Sequence, residues 1–122
     1  MDGNAILRRS MSFAGSDQEI LIEIDQPIRI DSMEFQCAIR ISAAGLLAKQ
    51  ASAFGVDEMQ SVMLAFDALR GLIGEAYPGA TWCGLPVEIA FPRAIPYAAG
   101  VETYRQLETL VDEALQAKFN TT

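Results

Sequence analysis

Sixteen acidic side chains and no histidine set the terms for any chemistry this chain can perform. The acids gather most visibly along "EILIEIDQPIRID", where Glu19, Glu23 and Asp25, with Asp31 beyond, fall at even spacings. In an extended strand such positions share one side, so these four are the candidates for contact with a cation or a basic protein. A calcium loop needs several oxygens converging within one turn, and no D-x-D-x-D-G pattern occurs. The row therefore reads as a solvated strand face that doubles as a partner surface, and no metal ligands are expected.

Nucleophilic chemistry has little to work with. Without histidine the commonest general base and the commonest metal ligand are both missing. A serine or cysteine nucleophile would fall back on Lys49, Lys118 or a carboxylate. There is no G-x-S-x-G, phosphate loop, dinucleotide fingerprint or C-x-x-C, and nothing singles out a glycosidase-type pair among the acids. The expectation is a protein that is not an enzyme, with no catalytic residues and no cofactor. Cys37 and Cys83 read as buried free thiols, since their spacing asks for no disulfide.

The remaining candidate surface is aromatic. Trp82, Leu85, Phe91, Pro92, Ile95, Pro96 and Tyr97 fall in a proline- and glycine-rich stretch. Loops carry function more often than strands do, and Trp and Tyr dominate interface hot spots. Trp82 and Tyr97 join the four acids as partner-binding candidates. The competing reading is that Trp82 and Phe91 pin the connector to the core.

These residues need elements to position them. "ILRRSMSF" alternates, with Leu7, Met11 and Phe13 on one parity and Arg8, Ser10 and Ser12 on the other, and a turn follows at "AGSDQ". In the second run Ile20, Ile22, Ile24, Ile28 and Ile30 share one face, while Glu19, Glu23, Asp25, Arg29 and Asp31 share the other. Pro27 cannot donate to a ladder and marks an edge or a bulge. "EFQCAIRIS" repeats the pattern with Phe35, Cys37, Ile39 and Ile41 inward, and "LLAKQASAF" is a weaker fourth strand after the "AAG" turn.

A helix follows. Asp57 is its N-cap and Gln60 completes a capping-box pattern. Met59, Val62, Met63, Phe66, Leu69 and Ile73 would cover the isoleucine face, with Leu64, Ala65, Ala68 and Leu72 widening the stripe. Gly71 and Gly74 suggest a close neighbouring backbone or a loosened last turn. "YPGATWCGLPVEIAFPRAIPYAAG" reads as an extended connector with at most one short strand at "PVEIAF". A last helix after Gly100 carries the stripe Val101, Tyr104, Leu107, Val111, Leu115 and Phe119. It is expected to cover the far side of the first helix or to meet another subunit.

The fold class expected is α+β: an antiparallel meander of three to four strands packed on one long helix, with a second, C-terminal helix. Residues 1–122 form one domain, divided into a 5–54 meander, a 57–77 helix, a 78–99 connector and a 100–119 helix. The chain has 122 residues, 51% of them apolar and 20% charged, which is globular composition. No apolar run reaches the ~20 residues of a membrane span, and the N-terminus lacks the pattern of a signal peptide. The expected compartment is the cytoplasm. A net charge of −7 and a pI near 4.4 disfavour nucleic acid and suit a basic partner.

The order of elements resembles a family of small bacterial proteins of unknown function, in which a "G-[VI]-D-x-x-Q-A-x-x-L-A" helix follows an antiparallel meander. The residues that carry the resemblance are Gly55, Val56, Asp57, Gln60, Leu64 and Ala65, with Trp82 and Gly84 after the helix. It covers roughly residues 5–92, and Ser61 stands where the family has alanine. The resemblance implies an α+β fold and no activity. The function expected is a non-catalytic, acidic protein-binding domain of the immunity or inhibitor type that neutralises a basic protein such as a toxin. The alternative is a structural or accessory homo-oligomer, and a small-molecule-binding or catalytic domain ranks behind both.

Overall fold

Alternation and proline placement account for the sheet. A computed structural model describes residues 5–13, 17–93 and 97–120. Strands β1 (Ala5–Phe13), β2 (Glu19–Asp25), β3 (Ile28–Asp31), β4 (Glu34–Ala43), β5 (Leu46–Gly55), β6 (Ala80–Trp82) and β7 (Leu85–Pro86) form one antiparallel sheet. β4 runs between β5 on one side and β2 with β3 on the other; β1, β6 and β7 continue beyond β2. The α+β class is as expected, with seven strands rather than three to four. The expected turn at 14–18 lies partly outside the described residues.

The predicted second strand is divided at Gln26 and Pro27 into β2 and β3, both paired to β4. Ile24 lies opposite Ile39, whereas Ile28 lies opposite Gln36, so the broken strand carries one residue more than its partner. That extra residue reverses the parity. Ile20, Ile22 and Ile24 are buried, while Ile28 and Ile30 are exposed, which corrects the expected five-isoleucine face. Arg29 moves to the side of Phe35, its guanidinium 5.4 Å from that ring.

Helix α1 (Glu58–Ala76) lies across β4 and β5. Its buried row is Ser61, Ala65, Leu69 and Ile73, with Val62 and Phe66 partly buried beside it. Met59 and Met63, expected at the core, are exposed. Small residues lead the row because the chain enters the helix directly beneath it: a Cβ on Gly55 would lie 2.5 Å from the Ser61 backbone nitrogen. The cap forms as predicted in its first half, with the Gln60 N–H donating to Asp57 Oδ1 at 2.7 Å. The Gln60 side-chain oxygen reaches back to accept from the Val56 N–H.

Two hairpin turns rest on left-handed backbone. Ala44 and Gly45 have φ of 54° and 80°, and Cys83 and Gly84 have 53° and 78°. Positive φ at both central residues suits the twist of an antiparallel pair. Cys83 is therefore exposed at a turn tip, against the buried-thiol expectation, while Cys37 is buried; both are free. The connector is not merely extended, since it supplies β6 and β7. The "PVEIAF" strand is replaced by a single helical turn, α2 (Val87–Ala90). Val87 and Ala90 are both buried. At a separation of three, a strand would have sent them to opposite faces.

Helix α3 (Val101–Phe119) follows the 3-10 turn Tyr97–Ala99. None of its residues is buried, and its main contacts are with that turn. It does not cover the far side of α1.

The glycines of this fold should respond in opposite directions. Gly55→Ala should lose about 1–3 kcal/mol through the clash with Ser61. Gly71 and Gly74 meet nothing within 4 Å, so no neighbouring backbone explains them and Ala at either should gain about 0.5–1 kcal/mol. Urea titration of the three variants decides; a neutral Gly55→Ala would remove the close approach from the account.

Candidate functional site

The inward parity of β1 contains a charge. Arg9 pairs with Ile22 across β1 and β2, between Leu7 opposite Ile24 and Met11 opposite Ile20. Opposed residues share a face, so Arg9 projects to the core side with the isoleucines. Its guanidinium lies 3.9 Å above the Trp82 ring and 5.9 Å from the Phe91 ring. One of its N–H groups donates to the Ala90 carbonyl. Trp82 is held there because β6 pairs with the end of β1, Ser12 opposite Thr81, and the Cys83–Gly84 turn closes behind it. Phe91 is 2% exposed and follows directly on α2. Between these groups and α1 lies a cavity of about 220 Å³, walled by Ile22, Ile24, Phe66, Leu69 and Phe91, with Leu7, Arg8, Arg9 and Pro92 completing it.

The predicted acidic row lies on the other face and is engaged within the chain. Arg8 pairs with Glu23 at 3.0 Å. Arg40 bridges Asp25 at 2.5 Å and Glu23 at 3.7 Å, and these three side chains are only 12–15% exposed. Glu19 accepts from the Ser10 hydroxyl at 2.9 Å. Asp31 sits apart at the β3–β4 turn, where it accepts the Met33 N–H. The structure thus joins Glu23 and Asp25 through a shared arginine and places Glu19 further along the strand. Trp82 belongs to the Arg9 site instead. Tyr97 lies in the 3-10 turn; its side chain, with Ile95 and Pro96, lies outside the described residues.

Beneath the ion pairs, burial and the Asp25 charge push the Cys37 thiol up to about 11. Its sulfur hydrogen-bonds to the Asp25 carbonyl at 3.5 Å. Among the described residues, no three Cys, Asp or Glu side chains are grouped to hold a metal ion.

One family comparison bears on all of this. A family model described as a domain of unknown function, DUF6968, matches residues 7–93. The chain belongs to the DUF6968 family. No curated protein and no solved structure matches it. The span matched to DUF6968 contains Arg9, Trp82, Phe91 and the ion-paired face, and it ends before α3 begins.

Arg9 is the residue that sequence reasoning missed. The signal was available: it stands two residues from Leu7 and two from Met11, so strict alternation puts it among them. A charged residue on an apolar parity is a stronger pointer than the acids on a polar one.

The ion-pair network makes a stability prediction. Arg40→Met leaves Asp25 without its partner, next to a Glu23 that keeps only Arg8, and should lose roughly 2–3 kcal/mol in urea titration; a loss within 0.5 kcal/mol would mean that solvent already screens the pair.

The thiols make a second prediction. The folded Cys37 titrates above its ordinary 9.0, so the unfolded chain loses that proton first and stability falls from pH 9 toward 11. Iodoacetamide at pH 8 should alkylate Cys83 in the native protein and reach Cys37 only on unfolding. Equal rates at the two sites would contradict the burial.

Proposed function

We propose that this DUF6968 protein is a non-catalytic protein-binding domain whose docking element is α3. The observation that carries the reading is an apolar stripe that the described residues leave uncovered. Val101, Tyr104, Leu107, Val111, Leu115 and Phe119 are all 36% or more exposed on a 19-residue helix. An isolated helix of that length is marginal in water, and helices in proteins draw most of their stability from packing an apolar face. A second surface that buries the stripe supplies what the chain lacks.

Charge supports a basic protein as that partner. The chain carries −7 overall, and α3 itself adds Glu102, Glu108, Asp112 and Glu113 against Arg105 and Lys118. A field of this sign accelerates encounter with a cationic surface and weakens with salt, as an immunity- or inhibitor-type protein facing a basic toxin would require. Since Glu23 and Asp25 are already paired, the contact is assigned to α3 rather than to the β2 face. A cytoplasmic setting belongs to the same proposal; no described helix is long and apolar enough to cross a membrane.

Self-association is the second reading, and one feature of α3 favours it. Tyr104, Leu107, Val111 and Ala114 recur at the alternating three- and four-residue steps of a coiled-coil seam. Sedimentation equilibrium separates the two readings, because only self-association raises the mass of the purified chain. The combined substitution Leu107→Glu with Leu115→Glu should abolish either partnership. It should leave the melting of the β-sheet body within a few degrees of wild type, because no α3 residue is buried and α3 makes no substantial contact with any described strand. If the purified chain is monomeric and its capture of a salt-released basic protein is unchanged by the double substitution, α3 is not the docking element.

A further inference from the structure

We infer that the cavity beside Arg9 binds a small monocarboxylate with a short apolar body. The inference is independent of α3 and rests on a charge that the described residues leave without a counter-ion. A guanidinium stays protonated under all ordinary conditions and carries five N–H donors in a fixed fork. Arg9 is half-buried on the core side of the sheet. One donor goes to the Ala90 carbonyl. The ion pairs formed among the described residues join Arg8 and Arg40 to Glu23 and Asp25 on the opposite face, and none supplies Arg9 with a carboxylate. Stacking on Trp82 stabilises the cation and holds its plane, but a neutral ring does not balance a charge. Burying a cation beside apolar groups is costly until an anion pairs with it.

The cavity specifies the rest of the ligand. Its walls are Ile22, Ile24, Phe66, Leu69 and Phe91, which offer contact area and no hydrogen bonds. Arg8 also borders it, but its Nε is committed to Glu23. One available guanidinium balances one negative charge, so a monoanion fits and a dianionic phosphate would carry surplus charge into an apolar space. A volume near 220 Å³ lies below the range of drug-sized pockets, which limits the apolar body to a few carbons.

Trp82 is the only tryptophan in the chain, so its emission reports this site alone. Hexanoate titrated into the full chain should change that emission saturably. Hexanol, the neutral analogue, and inorganic phosphate, the polar anion, should each bind at least about tenfold more weakly. Arg9→Met should raise the hexanoate Kd by at least about tenfold with the fold retained by circular dichroism, and Arg9→Lys should recover part of the loss. Should Arg9→Met fail to fold, Leu7→Phe, a change at a partly exposed position on the cavity wall, should weaken hexanoate while leaving the charge in place. Four results would overturn the assignment: no emission change through the millimolar range, hexanol binding as tightly as hexanoate, phosphate binding as tightly as hexanoate, or hexanoate binding unaffected in every folded variant. Loss of hexanoate binding in the α3 double variant would contradict the separation of the two sites.

Discussion

Ser61, Ala65, Leu69 and Ile73 press against the inward faces of β4 and β5, and this contact closes the main core of the molecule. The helix can come close because its first two buried residues are small and because the chain turns into it at a glycine with no room for a Cβ. Close approach seals Cys37, Ile39 and Ile41 completely. Buried hydroxyls need partners, and the Ser61 hydroxyl finds one by donating to the Glu58 carbonyl at 2.7 Å.

Helix α1 covers one half of the sheet and leaves the β1–β2 half to other groups. The single turn α2, Phe91 and the returning strand β6 provide that cover. They are short elements, and they do not meet α1 without a gap. Arg9 stands at the gap, a cation accepted on the core face because an indole ring and a backbone carbonyl receive it. On the opposite face the charges are resolved within the sheet, two arginines against two carboxylates. One sheet thus carries a balanced face and an unbalanced one.

Much of this architecture was legible in the sequence, because period-two isoleucines and a capped helix state their own geometry. The positions of β1, β2, β4 and β5, the Asp57 cap and the bounds of α3 follow from local pattern, whereas β6, β7 and the turn of α2 inside the expected connector do not. Three further features depend on more than local pattern. The bulge at Pro27 was foreseen as an irregularity, yet its reversal of parity for Ile28 and Ile30 depends on register with β4, which is not a local property. The α1 row was misplaced toward Met59 and Met63 because hydrophobicity alone ranks methionine above serine, whereas the backbone clearance at Gly55 selects the small residue. The Arg9 site is obscured in the sequence because the acids are the most numerous charges, whereas the informative one is the single charge on the apolar parity of β1. Pairing partners decide which acids remain free, and a linear sequence does not display them.

The pairing of β6 with β1 has a consequence for how the chain assembles. β4 and β5 meet across a two-residue turn, and β2 with β3 reaches β4 across Ser32 and Met33, so both pairings close short loops. Thr81 and Ser12 are separated by 69 residues. Loop entropy rises with that separation, so this pairing is the costliest closure among the described strands. Until it forms, the edge of β1 is open, Trp82 has no guanidinium to stack on, and Arg9 remains in water. The charged cavity thus exists only where that long closure has been made.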